Sequence, residues 1–327
     1  MINQQLKMKI EFLEQVYFST DDPVPFKDSL EIYPVLVKDY YKFYSLIPCF
    51  TFDKNKTMEG ISMSNLGYAF KLMEDEETGK AFTARFISLL ELIFHIENGL
   101  YCDNENCEDN DEKKVYCYND ILKKLNSLKT DEEKTKYLTK MRTCPKCGKP
   151  MREVFSIKRQ DEKKSLSIFD TEIKPKEFDE LKEIVCYQNM PDYEDDYIDP
   201  KLKADLEAKA KLENPNAVSP TLEKQLICIS ISSPYTLDML KQITIRKMVL
   251  MLRTIDAKAH YFCYKQGEMS GKHAMPLYIV KCIAKLIKLP GVPKIILAKI
   301  ERLKRKYECH ESRKNRMNGI WLNPKYC

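Results

Sequence analysis

Four cysteines stand in two close pairs. Cys102 and Cys107 lie in "YCDNENCEDNDEKK", and Cys144 and Cys147 lie in "RTCPKCGKPM". Thiolates are soft, strong donors for zinc, and four of them complete a tetrahedral shell. The C-P-x-C-G order is suited to this. Pro145 fixes one backbone angle, Gly148 permits the tight turn that follows, and both sulfurs then face one centre. The predicted site is therefore Zn2+ held by Cys102, Cys107, Cys144 and Cys147, with Cys117 as a spare that can replace a member of the first pair. A shell filled by four thiolates leaves no position for water or substrate, so the expected role is structural. A redox C-x-x-C and an iron–sulfur cluster are the alternatives on the same residues.

Other patterns carry less chemistry. "EMSGKHAM" contains Gly-Lys but lacks the leading glycine of a phosphate loop, and "SISSPY" lacks the glycines of a nucleophile elbow. His260, His273 and His310 are scattered, and His95 is expected inside a helix as a packed or surface residue. The acidic run with Asp192, Glu194, Asp195, Asp196 and Asp199 lacks the ligand spacing of a calcium loop and reads as a solvated or partner-facing loop. No catalytic residue is assigned, and the chain is not expected to be an enzyme. The basic end, with Lys299, Arg302, Lys304, Arg305, Lys306, Arg313, Lys314 and Arg316, fits contact with nucleic acid or a membrane surface, or else a solvated face, and makes nucleic acid a second partner class.

These residues need elements to hold them. "AFTARFISLLELIFHIENG" places Phe82, Phe86, Leu89, Leu90, Ile93 and Ile96 on one stripe of a helix, with Gly99 at the position after its C-cap. "VLVKDYYKFYSLI" puts Leu36, Tyr40, Phe43, Tyr44 and Ile47 at helical spacing, and Pro48 is expected to end that helix. The first eighteen residues fit either a strand or a short helix. "SLEIYPV" reads as a short strand. Between the cysteine pairs, "YNDILKKLNSLKTDEEKTKYLTKM" reads as two short helices, with Thr130 and Glu133 placed for a capping box. "EVFSI" and "SLSIFD" are expected to form a hairpin. "KPKEFDELKEIVCYQN" is expected to be an amphipathic helix with Pro175 in its first turn. Asp199 is placed to cap the charged helix after it. Thr244 is placed to cap a long helix with Met248, Leu252, Ile255, Ala259 and Phe262 inward, ended by Gly267 and Gly271.

Composition agrees with a folded chain. Its 327 residues are 43% hydrophobic and 31% charged, with net charge +5. Only 9 glycines against 19 tyrosines and 14 phenylalanines lean away from turn-rich all-β folds. The opening "MINQQLKMKIEFLEQV" is charged and amphipathic rather than a secretory leader, and no apolar run is long enough for a bilayer. A reducing cytosol is the expected setting for 12 cysteines used as buried thiols and metal ligands.

Four blocks, "SLEIYPVLVKDYYKFYSLIPCFTFDKN", "EFDELKEIVCYQNMPDYEDDYIDP", "SPTLEKQLICISISSPYTLDMLKQITIRKM" and "LRTIDAKAHYFCYKQGEMSG", resemble a family of phage tail proteins of large-tailed viruses of Gram-positive bacteria. These proteins are similar to the baseplate-hub components of T4-type contractile tails. The resemblance covers roughly residues 10–271, and after Gly271 the chain departs from the family pattern into a Cys- and Lys-rich stretch. It implies a structural or assembly part of a tail baseplate, located in the virion or in the host cytoplasm during assembly. Other tail and baseplate proteins are the implied partners, and a homo-oligomer is compatible with it. Faces with Tyr40, Tyr41 and Tyr44, and with Tyr187, Tyr193 and Tyr197, are expected to meet neighbouring subunits, oriented by Asp195 and Asp196.

The expected fold is α+β, predominantly helical, with a few short strands and a zinc-ribbon-like inserted module. The expected divisions are a helical and strand region at 1–100, the four-cysteine zinc-binding insertion at 101–152, a helical core with the acidic loop at 153–271, and a basic helical tail at 272–327.

Overall fold

The computed structural model describes residues 4–28, 30–54, 58–111, 114–160, 163–193, 208 and 220–269. Helices dominate, and the strands are short and antiparallel, giving an α+β fold. Among the described residues, those up to 208 together with 236–248 belong to one compact unit, and those of 220–235 and 249–269 to a second.

The first unit opens with helix α1 (Gln4–Leu13), which continues into a π-helical turn at Glu14–Phe18. The hairpin strands β1 (Val24–Lys27) and β2 (Leu30–Ile32) follow. Helix α2 (Tyr40–Leu46) is flanked by 3-10 turns at Val37–Asp39 and Ile47–Cys49. The α-helix ends at Leu46, just ahead of Pro48 as expected, and Pro48 lies at the start of the 3-10 turn that follows, where a proline costs no hydrogen bond. The buried face of this segment is Val37, Phe43, Leu46 and Ile47, so Tyr40 and Tyr44 lie off it.

Helices α3 (Met58–Ser62), α4 (Asn65–Met73) and α5 (Gly79–Phe94) come next. Helix α5 ends earlier than its pattern suggests. His95 takes the left-handed conformation at φ 54°, and its ring stacks on Tyr33 with centroids 4.2 Å apart. Such a backbone costs a non-glycine residue about 1–2 kcal/mol, and the ring contact offsets part of it. Gly99, expected after the helix cap, instead opens strand β3 (Gly99–Tyr101). There a Cβ would stand 2.3 Å from the Tyr116 carbonyl oxygen, so the close strand approach requires glycine.

Short helix α6 (Glu108–Asp111), strand β4 (Val115–Cys117), and helices α7 (Tyr118–Ser127) and α8 (Asp131–Met141) lead to β5 (Arg152–Glu153). Strand β3 lies between β4 and β5 in one small antiparallel sheet. Thr130 and Glu133 form the expected capping box on α8. A second sheet joins β6 (Phe155–Gln160), β7 (Lys163–Ile168) and β8 (Thr171–Ile173), including the expected hairpin.

Helix α9 (Pro175–Asn189) carries Pro175 at its start, and Glu177 accepts the Lys174 N–H at 2.7 Å. Its buried surface is much wider than one stripe, because α4, α1 and β2 all lean on it. Phe178 meets Phe50 and Phe86 at ring distances of 5.3 and 5.9 Å, and all three side chains are fully buried. Near its end, buried Asn189 accepts the Val35 N–H at 2.8 Å and donates to the Val185 carbonyl at 2.9 Å. Both halves of that amide are thus paired, as burial demands. Helix α11 (Leu237–Lys241) and the start of α12 (Ile245–Met269) complete the unit, after α10 (Leu222–Ser232) in the second unit. Backbone bonds from Val37 to Ile243 at 2.9 Å and from Ile245 to Val35 at 2.9 Å fix them. Arg246 donates to the Tyr187 carbonyl at 2.7 Å, pairs with Glu14 and lies 5.2 Å over the Phe18 ring.

Thr244 caps α12 as expected, its hydroxyl accepting the Lys247 N–H at 3.2 Å. The expected inward row of α12 holds only in part. Met248 is buried, while Ala259 and Phe262 are exposed, Phe262 to 55%. Gly267 lies inside the helix rather than ending it. Gly271, the Asp199 cap and the basic residues from Lys299 onward lie outside the described residues.

Candidate metal centre

The two cysteine pairs sit on two turns that the β4-β3-β5 sheet brings together. Strand β3 delivers Cys102 immediately after Tyr101, and the turn that follows is closed by the Cys107 N–H donating to the Asn104 carbonyl at 2.9 Å. The second turn is a narrow loop between Thr143 and Pro150, which form an isolated antiparallel bridge. Within it the Cys144 N–H donates to the Lys149 carbonyl and the Gly148 N–H to the Cys144 carbonyl, each at 2.8 Å. Gly148 adopts φ 71° with open space around it, so the backbone angle, not crowding, calls for glycine.

The ligand atoms of Cys102, Cys107, Cys144 and Cys147 all lie within 4.8 Å of one another, and they can hold a metal ion. The short contacts cross between the turns: Cys102 to Cys147 at 3.5 Å and Cys107 to Cys144 at 3.7 Å. Sulfurs around a tetrahedral zinc with bonds of about 2.3 Å stand about 3.8 Å apart. The four thiols therefore fit a single ion. A disulfide is excluded at these separations, and the four are free cysteines. Cys117 lies in β4 opposite Gly99 and does not belong to the group.

Backbone N–H groups two residues on point at three of the sulfurs. Asn104 donates to Cys102, Asp109 to Cys107 and Lys149 to Cys147. Burial pushes the Cys102 thiol up to about 12 and raises Cys107 as well. Cys147, the least buried of the four, is held down to about 6, chiefly by the Lys149 N–H.

Charge joins the two turns. The first is acidic and the second basic. Lys146 Nζ lies 2.7 Å from Glu108 and 3.4 Å from Asp109, Arg152 Nε lies 2.7 Å from Asp103, and Lys149 donates to the Asn104 side chain at 2.9 Å. The exposed members contribute little individually. Asp109 differs, being 1% exposed, and Tyr116 of β4 donates to its Oδ2 at 2.7 Å. Its carboxyl is held below the usual range, first by that hydroxyl. Sequence reading overlooked Asp109, Tyr116 and Lys146. The reciprocal charge of the two loops was the available signal.

The aromatic residues expected to meet partners separate into exposed and buried. Tyr40 packs on Tyr41 and Tyr44 with centroids 5.5 and 4.5 Å away, and Tyr41 is 67% exposed. Tyr44 is exposed too, close enough to Asp192 to feel its charge. Tyr193 meets the ring of Tyr187 edge-on at 5.2 Å. Tyr187 is 8% exposed, which corrects its assignment to a contact face: α9 turns it inward. Asp195, Asp196 and Tyr197 lie outside the described residues. Among the described residues no helix is long and apolar enough to cross a membrane. No protein-family model, curated protein or solved structure matches this chain.

Proposed function

We propose that this chain is a structural or assembly component of a phage tail baseplate that works by binding other proteins, with one structural Zn2+ clipping the segment around residues 101–152. The observation that carries the metal part is the convergence of four thiols within 4.8 Å. Four thiolates fill a tetrahedral zinc and leave no open position, so the ion staples the segment rather than activating water. Helix α8 has no buried residue and α7 buries only Ile121, so apolar burial alone is a weak hold on this segment.

The baseplate setting rests on the four sequence blocks that resemble tail proteins. Exposed Tyr41 and Tyr44 supply an aromatic contact face of the kind that anchors protein interfaces. Co-purification of the tagged full chain with tail particles from infected cells tests this setting. Failure to co-purify, together with DNA binding that weakens steeply with salt, would instead support the nucleic-acid reading founded on the basic run from Lys299 to Arg316.

A further inference from the structure

Asp109 reaches sulfurs on both turns of the cysteine cluster. Its backbone N–H donates to Cys107 Sγ on the first turn. Its carboxylate Oδ2 lies 3.6 Å from Cys144 Sγ on the second turn and accepts the Tyr116 hydroxyl at 2.7 Å. The other oxygen, Oδ1, is buried without a hydrogen bond and faces Lys146 Nζ at 3.4 Å and Lys114 Nζ at 4.0 Å. Burying a carboxylate is costly unless charge and hydrogen bonds compensate it. Here the compensation comes from two separate pieces of chain: β4 with the residue that leads into it, and the loop between Cys144 and Cys147.

We infer that Asp109 is a positioning residue for the metal centre, a strut that aligns the two cysteine turns so that their sulfurs converge before the ion arrives. The inference rests on the metal reading above. Asp109 is not itself a ligand, because the group of mutually close donor atoms contains the four sulfurs alone. A dication with four thiolates carries a net charge of about −2, counting charges alone. A carboxylate beside it is repelled unless cations sit on its far side, and Lys146 and Lys114 occupy those places. Lys146 is therefore the second part of the device. It lies between the two cysteines of the knuckle and pairs with the acidic turn that carries the other two.

The test uses the full-length chain loaded with Co2+ and titrated with a chelator. The variants are D109N, Y116F and K146Q, with K146R as the conservative control. D109N keeps the size of the side chain and the acceptor for Tyr116 but loses the charge facing Lys146. Partners of metal ligands typically change affinity 10–100-fold, and D109N is expected to weaken Co2+ binding by about that much. Its thiolate-to-cobalt absorption should keep its shape, since all four sulfurs still bind. Y116F, which retains the ring, is expected to weaken binding by about 10-fold, the loss of one hydrogen bond to a charged group. It carries the test if D109N is insoluble. K146Q is expected to weaken binding in the same direction as D109N, K146R, which keeps the charge, to recover most of that loss, and the D109N/K146Q pair to be no weaker than the worse single variant.

Affinity within twofold of the unaltered chain in D109N, or in Y116F if D109N is insoluble, overturns the inference. So does a D109N spectrum whose cobalt d–d bands change to those of a different coordination number while the sulfur absorption stays, which would make Asp109 a ligand. An unaltered chain that takes up no Co2+ overturns the metal reading itself and is a separate outcome.

Discussion

Cys144 and Cys117 show how placement, not residue type, separates two cysteines of one segment. Both are cysteines within the same fifty residues, yet only Cys144 belongs to the converging group. Substituting Ser for Cys144 is expected to reduce bound zinc from about one ion per chain to a small fraction, whereas the same change at Cys117 leaves it intact, read by elemental analysis. The pH dependence has a definite sign. Metal binding must displace the Cys102 proton, since burial holds that thiol up to about 12, so affinity falls as pH falls. Gly99 gives a prediction of another kind. A methyl there meets the Tyr116 carbonyl oxygen at 2.3 Å, and Gly99→Ala is expected to cost about 1–3 kcal/mol by chemical denaturation. The four converging cysteines were legible in the sequence because few chemistries use two such pairs. Asp109 was not, because its neighbours Asp103, Glu105 and Glu108 look the same in sequence, and burial alone distinguishes it.

Local signals at the element scale worked where one residue closes a defined bond. Thr130 and Glu133 announced the start of α8, and Pro175 announced α9. Thr130→Ala is expected to cost about 1 kcal/mol, with the loss confined to faster amide exchange in the first turn of α8, which packs no buried side chain. Ahead of α5, Asp75 accepts the Thr78 N–H at 2.7 Å and the Thr78 hydroxyl at 2.8 Å, and these bonds hold its carboxyl below its ordinary 3.8. A depressed folded-state pKa means stability that is present above the unfolded value and lost as pH falls through the folded one. Thermal melts of Asp75→Asn against the unaltered chain should therefore differ at neutral pH and converge in acid. Strands β3, β4 and β5 escaped sequence reading because two or three residues give no periodicity to detect. The end of α5 was misplaced because a ring stack, not glycine, supports the left-handed residue there. On α12 the apolar spacing continues through Phe262, yet the residue is exposed, since periodicity shows a face without showing what covers it.

Burial holds one part of the molecule, and a metal clip is proposed for another. The core around Phe50, Phe86 and Phe178 is held by burial, and Phe86→Ala is expected to cost about 3–5 kcal/mol and to lower the melting temperature of the first unit. For the segment between β3 and β5 the proposed hold is a metal ion on its four cysteines, aided by the charges around them. Composition was enough to indicate a helical α+β chain. The tail-protein setting came from sequence blocks alone, and particle co-purification is its test. The claim on which the rest depends is one zinc in a four-sulfur shell. X-ray absorption at the zinc edge, with metal content measured on the same full-length sample, tests it most directly. The expected result is about one zinc per chain with four sulfur neighbours at about 2.3 Å. A metal-free chain whose 101–152 segment keeps its structure, or a zinc shell containing oxygen or nitrogen, would contradict it.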